Sequence, residues 1–248
     1  MAPDRLPLLV SVPHGGTAVP SELQGRHLLT HAQIVADGDV GASTIYAIGD
    51  QVASFVTASI ARAFVDLNRA PDDVRKDGVV KTHTCWNEVI YPHALDEATA
   101  RALVDRYHRP YHEELSRAAT QELLLAVDCH TMAAFGPPVG PDPGVERPWI
   151  CLGNVGGRSC PAPWLAALGD CFSEQFEGRV RLNDPFRGGY ITRYHGTEMP
   201  WVQLEMSRAP FFTDAEKRVR TVRALHAFCA LTPSLGRSRT GLRAPKRA

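Results

Sequence analysis

Apolar runs at three places in the chain stop on a histidine or a glutamate: residues 8–16 with His14, residues 124–132 with His130, and residues 201–208 with Glu205. A run of this length with polar ends is typical of a strand buried on both faces. In α/β proteins, ligands bind at the carboxyl ends of such strands. We therefore expect these side chains to lie where the chemistry takes place.

The remaining pattern predicts short strands that alternate with helices. Helices are expected over residues 41–52, 95–121 with a break at Pro110, 164–175 and 214–230, and further strands over 55–60, 64–67, 149–153 and 179–182. There is no internal repeat and no clear linker. The pattern indicates a single α/β domain over residues 1–232.

Composition supports one globular domain followed by a basic tail. The chain has 248 residues, 44% of them hydrophobic, which is enough for a sizeable core. Five of the 27 Lys and Arg residues lie in 233–248, where there is no acid, so 22 basic and 27 acidic residues remain in the body. We expect the tail to be disordered because it can bury little apolar surface. Since the body is acidic, nucleic acid is not an expected partner.

No stretch is long and apolar enough to cross a membrane, and the first nine residues lack the apolar core of a signal peptide. The six cysteines are scattered and form no Cys-x-x-Cys pair, which favours reduced thiols. These features predict a cytoplasmic location.

Two segments have the composition of substrate-binding loops. Residues 135–148 carry five prolines and three glycines and are expected to form a long irregular loop, as lids often do. Residues 183–194 combine a glycine pair with arginines and tyrosines. A loop so rich in hydrogen-bond donors suits an anionic substrate.

The residues also allow a metal site. A hydrolytic zinc site takes three protein ligands from His, Asp and Glu and leaves one position for water. His14 and His130 are candidates, and Asp39 is our choice for the third ligand, with Asp37 as its close rival. An acid at a helix entrance can also be an N-cap, which is the structural alternative for either aspartate. There is no His-Glu-x-x-His motif to support the assignment.

Six blocks together resemble the N-formylglutamate amidohydrolase family. They lie in the family's order between residues 13 and 208: Pro-His-Gly-Gly at 13–16, Asp-Val-Gly-Ala at 39–42, Asp-Leu-Asn-Arg at 66–69, Asp-Cys-His-Thr-Met at 128–132, Pro-Phe-Arg-Gly-Gly-Tyr at 185–190 and Leu-Glu-Met-Ser-Arg at 204–208. No block is specific alone, but the combination is.

The resemblance implies a three-layer αβα domain with a mixed, mostly parallel sheet, similar to the zinc carboxypeptidases and aspartoacylases. It implies one zinc ion, or another divalent metal, held by His14, Asp39 and His130. Asp39 departs from the pattern of those enzymes, because it stands 25 residues after His14 rather than three. Asp128 is expected to contact a metal ligand and orient it, without binding the metal itself.

The implied reaction is metal-assisted hydrolysis of N-formyl-L-glutamate to glutamate and formate, at the end of histidine breakdown. Glu205 would be the general base. Asn68 and Arg69 would bind one substrate carboxylate. Arg193 is preferred for the second carboxylate over Arg187 and Arg208, and Tyr190 belongs to the same predicted loop.

Two alternatives remain open. Within the same class, the chain is a hydrolase of another N-acyl amino acid or of a γ-glutamyl amide. From a different class, it is a non-catalytic module of the same fold that binds a metal or an anion. A phosphate-handling enzyme would need a cluster of acids suited to magnesium, which the sequence does not show.

Overall fold

The structure is a computed structural model that describes residues 5–138 and 142–231. Its centre is a six-stranded sheet with the strand order β2-β1-β3-β6-β4-β5. The strands are β1 (Leu6–Val12), β2 (Val52–Thr57), β3 (Leu125–Met132), β4 (Ile150–Gly153), β5 (Val180–Leu182) and β6 (Trp201–Ser207). The three apolar runs identified in the sequence form β1, β3 and β6, which are neighbours in the sheet.

Strand direction confirms the predicted sheet type. β1 pairs in parallel with β2 and β3, and β3 pairs in parallel with β6. β4 runs antiparallel to β6, and β5 is parallel to β4. The sheet is thus mixed and mostly parallel, and the carboxyl ends of β1, β3 and β6 meet at one edge.

Helices cover both faces of this sheet. They are α1 (His31–Asp37), α2 (Ala42–Ile45), α3 (Glu97–Leu103), α4 (Arg109–Ala118), α5 (Ala162–Gln175), α6 (Tyr190–His195) and α7 (Asp214–Leu231). One core packs α2, α5 and α7 against the sheet, and a second core packs α1, α3, α4 and α6 against the opposite face. The predicted three-layer αβα arrangement is confirmed.

Side chains along the central strands alternate between the two faces of the sheet, so core residues and candidate site residues lie on opposite faces. In β3, Leu125, Val127 and Cys129 belong to the first core, whereas the alternate residues Asp128 and His130 point to the other face. β6 repeats this pattern, with Val202, Leu204 and Met206 in the first core and Gln203 and Glu205 on the other face. Asp128, His130, Gln203 and Glu205 therefore lie on the same side of the sheet.

Four segments differ from the predictions. The strand expected over 55–60 is β2 at Val52–Thr57, and the last part of the loop expected over 183–194 belongs to helix α6, Tyr190–His195. The helix expected over 41–52 is only the single turn α2, because Gly49 and Asp50 form a turn and Val52 already pairs with Leu6 in the sheet. Residues 64–67 form a buried turn instead of a strand. There the Asp66 carboxylate accepts the backbone N–H of Asn68 at 2.9 Å, a local bond that competes with strand pairing.

The break expected at Pro110 takes the form of a π-helical turn, Val104–His108, between α3 and α4. All six cysteines lie in the described part of the chain, and no disulfide bond joins any two of them. Among the described residues, no helix is long and apolar enough to span a membrane. The predicted domain end at residue 232 and the tail over 233–248 lie outside the described residues, as does part of the predicted loop over 135–148.

Candidate metal centre and active site

His14, Asp39 and His130 come together at the carboxyl edge of the sheet. His14 follows β1 by two residues, Asp39 lies in the turn between α1 and α2, and His130 lies in β3. One nitrogen of each imidazole and one oxygen of the carboxylate lie within 4.8 Å of one another. The Asp39 Oδ2 atom is 2.9 Å from His130 Nδ1 and 3.6 Å from His14 Nδ1. All three residues are buried.

A carboxylate behind each imidazole fixes which nitrogen faces Asp39. His14 Nε2 is 2.9 Å from Asp66 Oδ1, and His130 Nε2 is 3.0 Å from Asp128 Oδ2. A carboxylate can only accept, so the neutral His14 ring places its proton on Nε2 and its lone pair on Nδ1. Both nitrogens of His130 face a carboxylate, and a cation on the Asp39 side would leave the single ring proton on Nε2, towards Asp128. Hydrogen bonds of this kind orient histidine ligands in metal sites.

The arrangement fits a divalent cation. His14 Nδ1 is buried and has no hydrogen-bond partner among the described residues. His130 Nδ1, when it carries a lone pair, faces an Asp39 oxygen that also carries one, and a cation between them would satisfy both. Two imidazoles and one carboxylate are the donor types that zinc takes in catalytic sites.

The charges around these residues explain why the carboxylates stay ionised although they are buried. Burial alone would raise the pKa of Asp39, but His14 and His130 outweigh it and hold that pKa well below its usual value. At Asp66, Arg62 and His14 likewise outweigh burial and hold the pKa well below normal. Arg62 Nε donates to Asp66 Oδ2 at 3.0 Å, so it compensates the charge behind His14.

The geometry separates the two rival aspartates. Asp37 is fully buried as the last residue of α1, and its carboxylate pairs with Lys81 Nζ at 2.6 and 2.9 Å. The backbone N–H of Cys85 donates to the same carboxylate at 2.6 Å. Asp37 is therefore already satisfied inside the fold, whereas Asp39 faces both imidazoles. Neither is an N-cap, since Thr30 is the N-cap of α1 and Gly41 is the N-cap of α2.

Glu205 lies next to this group, because it is the register partner of His130 across β3 and β6. Glu205 is buried, and β6 is an interior strand that lies between β3 and β4. Burial and the negative charge of Asp39 raise the pKa of Glu205, and the opposing effects of His130 and Gln203 do not cancel the rise. Such a shift moves a carboxyl group towards the pKa that suits a general base.

Gln203 links Glu205 to the glycine-rich loop. Its Nε2 atom donates to Glu205 Oε1 at 2.6 Å, and its Oε1 atom accepts the backbone N–H of Gly189. One oxygen of Glu205 is thus held in place. A Cβ atom at Gly189 would overlap the side-chain amide of Asn68, so this close approach requires glycine.

A cavity of about 640 Å³ opens above these residues, and cationic side chains dominate its charge. Its lining includes His14, Asp39, His130 and Glu205 together with Arg62, Arg69, Arg147, Arg187, Arg193 and Arg208. Most of these arginines already face a carboxylate: Arg62 pairs with Asp66, Arg69 with Asp77, Arg147 with Asp142, and Arg208 lies 3.7 Å from Asp39. Arg187 and Arg193 pair with no carboxylate among the described residues.

The structure brings most of the predicted substrate-binding residues to this cavity. Asn68 and Arg69 line it, and so does Arg193, which donates to the backbone oxygen of Gly188 at 3.1 Å. Burial lowers the pKa of Arg193, and repulsion from Arg69 adds to the effect. The ring of Tyr190 packs against Tyr194 with centroids 5.3 Å apart and does not line the cavity. Its contact with substrate stays a prediction.

Several residues of the site were missed in the sequence. Gln203 shares a strand face with Glu205, so the alternation along 201–207 could have identified it. Asp66 stands inside the block that contains Asn68 and Arg69, but no spacing rule links it to His14. Arg62 and Arg147 reach the cavity through loops, and no sequence signal distinguishes them from surface arginines.

Comparison with known proteins agrees with this geometry. The sequence model of the N-formylglutamate amidohydrolase family matches residues 6–211. An N-formylglutamate deformylase of Pseudomonas aeruginosa is 30% identical over 227 residues, which cover 85% of this chain and 84% of that protein. A protein of the same name from Pseudomonas putida is 28% identical over 86% of this chain and 84% of its own length.

Solved structures show the same fold. An N-formylglutamate amidohydrolase from Ralstonia eutropha JMP134 has a TM-score of 0.70 at 19% identity and covers 93% of each chain. The gene product Atu2144 from Agrobacterium tumefaciens has a TM-score of 0.68 at 18% identity, over 92% of this chain and 90% of that one. The match of the family model extends over most of the chain and includes every residue of the candidate centre. The chain belongs to the N-formylglutamate amidohydrolase family.

Proposed function

We propose that this protein is a metal-dependent amidohydrolase that cleaves N-formyl-L-glutamate to glutamate and formate. The observation that carries the proposal is the meeting of His14, Asp39 and His130 beside Glu205 in a cavity lined by arginines. Relatives named N-formylglutamate deformylase support the choice of substrate. A role at the end of histidine breakdown and a cytoplasmic location follow from the same proposal.

His14 Nδ1, His130 Nδ1 and the Asp39 carboxylate would hold the metal, for which zinc is our choice. A bound zinc ion would lower the pKa of a water molecule and polarise the formyl carbonyl. With the metal bound, Asp66 and Asp128 would accept the ring protons of His14 and His130 at Nε2, away from that position.

Glu205 would take a proton from the attacking water and pass it to the leaving amine. Its Oε1 atom is engaged by Gln203, so Oε2 is the atom proposed to receive the proton. The raised pKa of Glu205 assists the first of these steps, because it makes the carboxylate a stronger base. It also brings the pKa closer to neutral pH, where the group can take a proton and then give it up.

The arginines of the cavity would select a substrate with two carboxylates. Arg69 is proposed to bind one carboxylate beside Asn68, and Arg193 the other. Arg69 and Arg193 repel each other across the cavity, and an anion between them would relieve that repulsion. Arg208 is a weaker candidate than Arg193, because it donates to both Gly38 and Thr131 and lies 3.7 Å from the Asp39 carboxylate.

The direct test is release of formate by the purified, zinc-loaded protein. We expect turnover of N-formyl-L-glutamate that exceeds that of N-acetyl-L-glutamate, N-succinyl-L-glutamate and a γ-glutamyl amide. Preference for one of the other acyl groups would keep the hydrolase but change its substrate. Metal binding without turnover of any of these compounds would support the non-catalytic alternative.

A further inference from the structure

Three successive backbone carbonyls beside the cavity accept hydrogen bonds from a second layer of residues. The Leu67 oxygen accepts from His112 Nε2 at 2.9 Å, and the Arg69 oxygen accepts from His108 Nε2 at 2.8 Å. The Asn68 oxygen between them faces the backbone N–H of Tyr190 at 3.4 Å. Residues 67–69 belong to no helix or strand, so these bonds replace the ladder that would otherwise hold them.

The two histidines form one structural unit. They stand four residues apart where the π-helical turn meets α4, their ring centroids are 4.2 Å apart, and both are buried. Neither lines the cavity. They therefore act on the site through the residues that they contact, which are 67–69 and also Tyr190, whose ring lies 5.9 Å from that of His108 and 5.2 Å from that of His112.

A third histidine sets the proton position in this unit. Burial, followed by repulsion from His108 and His195, lowers the pKa of His112 to about 3, so this ring is neutral near pH 7. Its Nδ1 atom lies 2.9 Å from His195 Nε2, and the carboxylate of Glu198 lies 2.9 Å from His195 Nδ1. Since the Leu67 oxygen can only accept, the single proton of His112 must be on Nε2, and His195 must donate to Nδ1.

We propose that His108 and His112, with His195 behind them, are positioning residues for substrate binding. They fix the backbone of residues 67–69 so that the Asn68 amide and the Arg69 guanidinium face the cavity in the orientation that a substrate carboxylate requires. This inference rests on the proposed role of Arg69. A fixed binding group contributes more binding free energy than a mobile one, because the conformational entropy of ordering it is lost on folding and not on substrate binding.

Substitution of His112 tests the inference. In His112→Leu we expect the KM for N-formyl-L-glutamate to rise about tenfold while kcat changes by less than about threefold, as for a loss of uniform binding. His112→Gln restores an N–H donor towards Leu67 and should recover most of the affinity. The pair His108→Leu and His108→Gln should behave in the same way through the Arg69 oxygen.

The Arg69→Ala background shows whether the effect passes through Arg69. Because alanine keeps the backbone carbonyl but removes the guanidinium, His108→Leu should raise KM in the wild-type background and should no longer do so in Arg69→Ala. Equal effects of His108→Leu in both backgrounds would overturn the inference, as would an unchanged KM in the folded His112→Leu and His108→Leu variants. A failure of the leucine variants to fold would leave the glutamine variants, whose KM must then remain near that of the wild type.

Hydrogen exchange of the peptide that contains residues 64–72 gives a readout without substrate. We expect faster exchange there in His112→Leu than in the wild type, with little change in β3. Wild-type protein that releases no formate would contradict the proposed function, but the exchange result would still decide whether these histidines hold the segment. Unchanged exchange in folded His112→Leu would contradict the inference.

Discussion

His130 and Glu205 are register partners on the neighbouring parallel strands β3 and β6, and their side chains emerge on the same face of the sheet. Parallel pairing thus places a candidate ligand and a candidate base side by side. Both residues are held by strands and not by loops. The separation of the two residues depends on the strand register, which the cores on both faces of the sheet fix.

Replacement of Glu205 by Gln should abolish turnover and leave metal binding intact. The amide keeps the shape of the side chain but cannot take a proton, so we expect kcat for N-formyl-L-glutamate to fall by about 10²–10⁴. Metal content measured on the same preparation should equal that of the wild type. Glu122→Gln, at an exposed position before β3, is the matched control and should change neither quantity. Near-normal turnover in Glu205→Gln would show that another group is the base.

Substitutions of Asp37 and of Asp39, the two residues that flank Gly38, should have different effects. Asp39→Asn should lower zinc affinity and turnover while the protein remains folded, because it removes a charged ligand. Asp37→Asn should instead lower the free energy of unfolding by about 3–5 kcal/mol, since it leaves the buried Lys81 ammonium without its partner. Zinc titration and denaturant unfolding of both variants check this. Loss of zinc from a stable Asp37→Asn protein would assign the ligand role to Asp37.

Removal of the Gln203 amide should move the acid limb of the pH–rate profile. The hydrogen bond from Gln203 to Glu205 lowers the pKa of Glu205, so Gln203→Leu should raise that pKa further. The base works as a carboxylate, and activity is lost as pH falls through its pKa; the acid limb should therefore shift upwards by about 0.5–1 pH unit.

The exposed residue Gln24 provides the control for this profile, and Gln24→Leu should leave it unchanged. A shift of the acid limb of Gln203→Leu to lower pH would be incompatible with Glu205 as the base.

Arg193 should discriminate between substrates by their charge. Arg193→Ala should raise the KM for N-formyl-L-glutamate about 10- to 100-fold, because a charge-assisted contact to one carboxylate is lost. The KM for N-formyl-L-norleucine, which has one carboxylate, should change much less. Arg187→Ala is the informative comparison, since Arg187 also lines the cavity without a carboxylate partner among the described residues. If only Arg187→Ala discriminates between the substrates, Arg187 binds the second carboxylate.

The sequence predicts the parts of this fold that depend on local pattern. Each apolar run that ends on a histidine or glutamate forms a central strand, because burial on both faces needs a continuous apolar stretch. The same pattern fails at residues 64–67, where the Asp66 side chain accepts a hydrogen bond from the backbone N–H of Asn68 and stabilises a turn. It also fails at residues 41–52, where pairing of Val52 with Leu6 begins a strand. A local hydrogen bond that apolar spacing does not show decides the first case, and a contact between distant residues decides the second.

The candidate site shows the same division. His14, His130 and Glu205 follow from strand ends, and Asn68 and Arg69 were assigned by resemblance to the family. Asp39 could not be separated from Asp37 in the sequence, because the decision depends on Lys81, which stands 44 residues after Asp37 and reaches it only in the fold. The pairs between arginines and carboxylates in the cavity depend on loop geometry. No local pattern predicts which arginine has no carboxylate partner among the described residues.

Crystals of the zinc-loaded protein offer the most direct measurement of the central claim, through an anomalous difference map recorded at the zinc absorption edge. We expect one strong peak bound by Nδ1 of His14, Nδ1 of His130 and the carboxylate of Asp39, with Glu205 beside it. A peak elsewhere, or ligation through the Nε2 atoms that face Asp66 and Asp128, would contradict the proposed metal site.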